Sequence, residues 1–354
     1  MTSRERMLCA MRGGTPDRVP VAPWGFGHID PESGLGREMV ATCDMWIERG
    51  AAFSFSGAKL ACETTTEKTP DGTITTTVYH TPGGDLRSRH QQTAITSATI
   101  EFPCKNAADV EKLLSVPYEP FWADFAPFHE AKRKYGEEAL VCLGCADAVC
   151  WPAGVLAPED FSLLWADAPD LFVELCRAGS ERLNPFIEQA CKAGVDVFRI
   201  IGGEYVTVQL GPKAVPKLLA PFDTPQVDIM HRYGALAHYH NHGPIMRFLD
   251  ALADLGIDCM DPFEAPPCGD CDLVEAKRHM RGRTCILGNL DDMEVIDRLP
   301  EAQVCEIAAA RLEQAGPDGF MLGGTSSATF AERGARNFLA MVRVAEAAKP
   351  RKKA

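Results

Sequence analysis

Ala235-Leu-Ala-His-Tyr-His-Asn-His-Gly243 runs from small, apolar residues into three histidines at every second position, then a glycine and Pro244. Read as a strand, residues 235–242 place His238, His240 and His242 on one face, because side chains alternate with period two. Same-face neighbours lie about 6.5–7 Å apart, so two adjacent imidazoles can close on one metal ion. Buried polar rings in such a stack each need a partner, which makes this strand end the first place to look for chemistry.

Working outward, the same unit recurs. A helical pattern over 244–255 closes at Gly256, a strand follows at 257–263, a helix at 271–281, and a strand at 284–290. Helical spacing also marks 171–193, 301–315 and 330–348, and Gly194, Gly282 and Gly316 stand where C-terminal caps belong. With 19–23, 51–57, 139–145, 195–202 and 319–324, eight short apolar runs alternate with helices. That order predicts a single (β/α)8 barrel over residues 1–354. Residues 63–93 interrupt it; they are threonine-rich, turn at Pro70-Asp71-Gly72 and Pro82-Gly83-Gly84, and read as an inserted β-hairpin after the second strand, placed to lid the mouth. A two-domain, doubly wound enzyme is the weaker alternative, since no linker divides the chain and no glycine-rich dinucleotide fingerprint follows a strand.

The composition narrows the partners. A net charge of −13 with no basic stripe argues against nucleic acid. The one basic run, Lys349 to Lys353, reads as a solvated tail. No stretch approaches the roughly 20 uninterrupted apolar residues of a membrane span, and the N-terminus lacks a secretory core. Fourteen cysteines are mostly scattered singly through apolar stretches, as free thiols in a reducing cytoplasm are. Cys268-Gly-Asp-Cys271 is a single CxxC and a weak metal or redox signal.

Barrel active sites are built where strands end. Those ends collect Trp24 and His28, Glu204, His240 and His242, Asp261 and Glu264, Asn289, and Thr325 to Ser327. Two imidazoles with a neighbouring carboxylate can hold zinc and leave a position open. The metal set is read as His240, His242 and Glu204, with His238 one layer deeper. Asp261 and Glu264 are read as proton-transfer residues, and His28, Trp24, Asn289, Thr325 and Ser326 as substrate contacts.

In order and spacing the chain resembles the uroporphyrinogen decarboxylase superfamily, which includes the zinc-dependent corrinoid methyltransferases. The resemblance rests on Glu5-Arg6, Gly14-Thr-Pro-Asp-Arg-Val-Pro20, Gly194-Val-Asp-Val-Phe198, the His-x-x-Gly at 240–243, Gly256-Ile-Asp-Cys-Met-Asp261, Gly288-Asn289 and Gly319-Phe-Met-Leu322. It implies the same barrel. True decarboxylases of the family carry an arginine-rich segment soon after the first strand to grip substrate carboxylates; here Ala22-Pro-Trp-Gly-Phe-Gly-His28 has none before Arg37. The methyltransferase branch implies zinc on a His-x-Cys, a second cysteine after the eighth strand and an acidic residue near the fourth. His240 matches the histidine and Glu204 the acidic ligand, while His242 and Thr325 stand where the two cysteines belong. Without thiolates the metal is harder and suits an oxygen- or nitrogen-linked methyl group. The expectation is methyl transfer between a small methylated substrate and a corrinoid (cobalamin) carried on a partner protein. A metal-assisted decarboxylase or lyase of a small acid, and a non-catalytic binding barrel, are the alternatives. A homodimer is compatible with the sequence.

Overall fold

The computed structural model describes residues 1–57, 60–120 and 123–348; the basic run from Lys349 to Lys353 lies outside them. In chain order the strands are β1 (Met45–Gly50), β2 (Ala61–Thr69), β3 (Gly72–Thr81), β4 (Gly84–Thr93), β5 (Ser97–Glu101), β6 (Ala139–Ala146), β7 (Val197–Ile201), β8 (Leu236–His240), β9 (Cys259–Asp261), β10 (Cys285–Asn289) and β11 (Phe320–Gly323). β1 and β6 to β11 form one curled sheet of seven parallel strands, in the order β1-β6-β7-β8-β9-β10-β11. Helices cross between consecutive strands of this sheet, as parallel pairing requires. The largest is Pro169–Lys192, between β6 and β7.

Residues 20–25 bond to both edges of the sheet. Ala22 N donates to Leu322 O (2.8 Å), Asp44 N to Val21 O (2.8 Å) and Trp46 N to Pro23 O (3.1 Å). The segment expected as a strand at 19–23 therefore bridges β11 and β1 without becoming a regular strand. Pro20 and Pro23 lack the N–H groups a full ladder would use. The arrangement is compatible with a TIM-like barrel.

Inside the curl, alternate residues pack as one cluster: Trp46, Leu140, Cys142, Val197, Leu236, Cys259, Cys285, Leu287 and Met321. Met7, Leu8, Ala10 and Met11 of the helix Ser3–Met11 join it, closing the end opposite the strand termini. Each buried Leu, Val or Met side chain of this cluster contributes about 1.5–3 kcal/mol. The capping box of Thr2 and Glu5 starts this helix. The opposite strand faces pack against the crossing helices in a second, larger core.

Two expectations need correction. The strand expected at 51–57 is β1, six residues earlier. Ala51-Ala-Phe-Ser-Phe-Ser-Gly57 alternates like a strand, but Phe53 and Phe55 alternate because they pack on Phe186 (5.0 Å between ring centroids) and Trp151 (5.6 Å) from a loop. The expected hairpin is a four-stranded antiparallel sheet, β2-β3-β4-β5. Both turns fall as read, with Thr69 opposite Gly72 and Thr81 opposite Gly84. The sheet leaves from the end of β1 and is anchored by buried Leu86 and by the helix Ala107–Leu114, while β2 stays exposed over most of its length.

Candidate active site

The period of two in β8 turns His238 and His240 inward and Tyr239 outward, where its hydroxyl donates to Asp223 Oδ2 (2.7 Å). The next strand supplies the partner. Register places His240 opposite Asp261, and His240 Nδ1 lies 3.0 Å from both Asp261 oxygens. His238 Nε2 is 2.7 Å from Asp261 Oδ1, without hydrogen-bond alignment. Asp261 is fully buried. Burial works to raise its pKa, but the pull of His240 and His238 together outweighs it and holds the carboxyl well below the usual range. For His238, burial wins and lowers its pKa.

His242 lies just beyond the strand. Its Nδ1 pairs with Glu264 Oε1 (3.0 Å), and Glu264 Oε2 accepts from Gly243 N (2.8 Å). Burial of Glu264 is outweighed by these bonds, which hold its pKa down; the hydrogen bond to Glu264 raises that of His242. The two imidazoles meet edge to face, ring centroids 4.4 Å apart. Each has Nδ1 committed to a carboxylate, which turns Nε2 toward the other side of the ring. Such a carboxylate–histidine pairing orients an imidazole for metal binding. Asp261 and Glu264 are thus ionised and engaged in holding rings, which leaves neither with a proton of its own to give.

Three further residues belong here that the strand ends did not disclose. Arg199, on the inner face of β7, stacks on Trp24 (4.1 Å from guanidinium carbon to ring centroid), and its Nη1 donates to Glu48 Oε2 (3.2 Å). Trp46 stacks with Trp24 at 5.3 Å and lies 4.7 Å from the His238 ring, forming the floor. Gly144 on β6 makes room for Glu48, since a Cβ there would sit 2.1 Å from Glu48 Oε1. A lone arginine in Val-Asp-Val-Phe-Arg-Ile-Ile was the available signal for Arg199. Glu48 and Trp46 were hidden by the misplaced strand.

Glu204 follows Gly202-Gly203 at the end of β7. Its charge reaches His242, and its Oε2 is buried without a partner. Asn289 faces inward from β10, buried, with Oδ1 also unpaired. The Thr325 hydroxyl accepts from Asp292 N (3.3 Å). Ser326 lies beside it in the same loop, at φ 58°. His28 is exposed, its backbone N donating to Phe330 O (2.9 Å). Burial pushes the Cys271 thiol up to about 12 and raises that of Cys268, so the CxxC carries thiols rather than thiolates.

The donor set of two imidazole nitrogens and a carboxylate oxygen suits zinc, and the orphaned Glu204 Oε2 is a buried acceptor in want of a partner. Among the described residues no three His, Cys, Asp or Glu side chains stand together as a set that could hold a metal ion. The fit therefore lies in donor chemistry and in the orientation of the two imidazoles.

Behind the site, Asp147 at the end of β6 accepts from Cys150 N through Oδ1 (2.9 Å), while Oδ2 has no partner. Burial first, and the charge of Glu204 with it, pushes its pKa from 3.8 up to about 7. The folded state thus holds this proton where the unfolded chain has lost it, so stability falls as pH rises from about 4 to 7. Asp147→Asn should abolish that slope and be more stable than the parent at pH 8 by up to about 4 kcal/mol. Urea unfolding at pH 5 and pH 8 checks this; identical pH dependence in variant and parent would refute it.

The family model for uroporphyrinogen decarboxylase (URO-D) matches residues 152–344. No curated protein matches the chain. Among solved structures, a methyltransferase from Methanosarcina mazei superposes with a TM-score of 0.65 at 15% identity, covering 98% of this chain and 99% of that one. A B12-independent methionine synthase from Shewanella sp. W3-18-1 gives a TM-score of 0.47 at 12% identity over 70% of each chain. Among the described residues no helix is long and apolar enough to cross a membrane.

Proposed function

The chain belongs to the uroporphyrinogen decarboxylase (URO-D) family, and from that premise we propose that it is a zinc-dependent methyltransferase. In this reading it moves a methyl group between a small methylated substrate and a corrinoid carried on a partner protein. The observation that carries it is the paired restraint of His240 by Asp261 and His242 by Glu264, with both Nε2 atoms left as donors. His240 and His242 would hold the ion, with Glu204 as third ligand. When bound, zinc would act as a Lewis acid toward the oxygen or nitrogen that carries the methyl group.

The chain's own residues supply the rest. Trp24 and Trp46 close the floor and keep water from the buried Asp261. Asn289 Oδ1 is free to accept a hydrogen bond from the substrate. Arg199, neutralised by Glu48, holds the Trp24 ring in place. The arginine clamp that would grip an octa-acid is missing, so uroporphyrinogen is excluded as substrate.

The test is to mix the enzyme with reduced cobalamin and a panel of methyl ethers, methylamines and thioethers, and to follow methylcobalamin by its visible spectrum. The expected result is methylcobalamin from an ether or amine. No methylcobalamin from any donor, with carbon dioxide released from a small acid, would replace this reading by a decarboxylase.

A further inference from the structure

At the strand starts, the end of the sheet opposite His240 and His242, lies a cavity of about 200 Å³. That is below the roughly 300–1,000 Å³ of sites for drug-sized molecules. Its walls are the residues that lead into β9, β10 and β11, the end of the helix Ser3–Met11, and the helix Leu273–Met280. The charged residues that line it are Arg12, Lys277, Arg283, Asp258 and Asp318.

Three of these charges are answered from outside the cavity. Asp258 Oδ2 pairs with His231 Nε2 (2.8 Å) and accepts from Ala237 N (2.7 Å). Arg283 donates to Asp250 and Asp254, and Asp318 lies 3.6 Å from Arg281 Nε. Lys277 and Arg12 differ. Lys277 is only 8% exposed, and its ammonium donates to the backbone carbonyls of Asp318 and Gly319. Carbonyls accept hydrogen bonds but bring no countercharge, and an ammonium has three donors, so one remains. Burial lowers the Lys277 pKa against the more distant pull of Asp318. Among the described residues neither Lys277 nor Arg12 forms an ion pair, and the Arg12 guanidinium makes no hydrogen bond. A buried ammonium without a countercharge is costly, and an anion in this cavity would supply one.

We propose that this cavity binds a phosphate group, as free phosphate or as a small phosphate monoester. Lys277 is the fixed charge in its wall. Arg12, exposed just after the first helix, adds the planar fork that suits phosphate oxygens. Two unanswered cations favour a dianion over a monoanion. The site is separate from the histidine cluster and does not depend on methyl transfer.

The probes are inorganic phosphate, glycerol 2-phosphate and chloride, titrated calorimetrically into the full chain at constant ionic strength. At least one of the two phosphates should bind saturably at a single site, and chloride should not. The phosphate that binds more tightly identifies the source, and equal affinity shows that the phosphate group alone is read. Arg12→Ala should weaken binding roughly tenfold and Arg12→Glu should abolish it, each with an unchanged thermal melt. Lys277→Met should abolish it too; if that variant does not fold, the exposed Arg12 variants decide. His242→Ala should leave binding intact. Saturable binding of neither phosphate, equal binding of chloride, or binding that survives Arg12→Glu would overturn the proposal. Loss of binding in His242→Ala with retention in Arg12→Glu would do so too, by moving the anion to the barrel mouth. Because methylcobalamin formation is measured separately, its failure leaves this test untouched.

Discussion

Asp261→Ala is expected to unfold at markedly lower denaturant than the parent, with a loss of about 3–5 kcal/mol. The carboxylate is fully buried and is shared by His240 at 3.0 Å and His238 at 2.7 Å, with Arg199 Nη2 at 4.0 Å. Deleting it leaves two buried imidazoles and a buried guanidinium with Glu48 alone as countercharge. Asp261→Asn separates the roles. It keeps the volume, so most stability returns, but it replaces one acceptor oxygen by an N–H donor. If that donor faces His240, Nδ1 must accept, the ring proton moves to Nε2, and the lone pair needed for a ligand or a base is gone. Removing such a partner lowers metal affinity or activity roughly 10–100-fold. Equilibrium unfolding and turnover of both variants are the measurements. Asp261→Ala within about 0.5 kcal/mol of the parent, the range of an ordinary surface change, would show that the cluster does not hold the site together.

The second large effect is on metal. His240→Ala combined with His242→Ala should take zinc from one ion per chain to none, read by elemental analysis of protein prepared without a histidine tag. His242→Ala alone is the control for folding, because His242 is partly exposed while His240 is buried beside Asp261. An unchanged zinc content in the folded double variant would place the ion elsewhere, with Cys268 and Cys271 the next candidates.

Much of this site was legible along the chain. Alternation in 235–242 disclosed that the histidines share a face, and Asp261 and Glu264 were visible at the next strand end. What could not be read there is the pairing. That Asp261 answers His240 while Glu264 answers His242 depends on register between two parallel strands joined through a helix, a contact some twenty residues apart. Arg199 was open to view as a charge in an apolar strand, but its meaning needs Trp24 and Glu48, from segments far away in sequence. Thr325 and His28 were read from their position at strand ends alone; in the fold the Thr325 hydroxyl accepts from Asp292 N and His28 is exposed.

From the sequence by itself follow the alternation of strands and helices, the inward row of histidines, the turns at 70–72 and 82–84, and the absence of an arginine clamp. All are local, set by side-chain period, turn chemistry and residue type. Only the tertiary structure decided that β1 is 45–50 rather than 51–57, because the phenylalanines of 53 and 55 satisfy the same alternation by packing from a loop. It also decided which histidine each carboxylate pairs with, Asp261 with His240 and Glu264 with His242, and those partners outweigh burial and hold both carboxyl pKa values down. Local pattern is written in adjacent residues; charge state and partnership are written in distances across the fold.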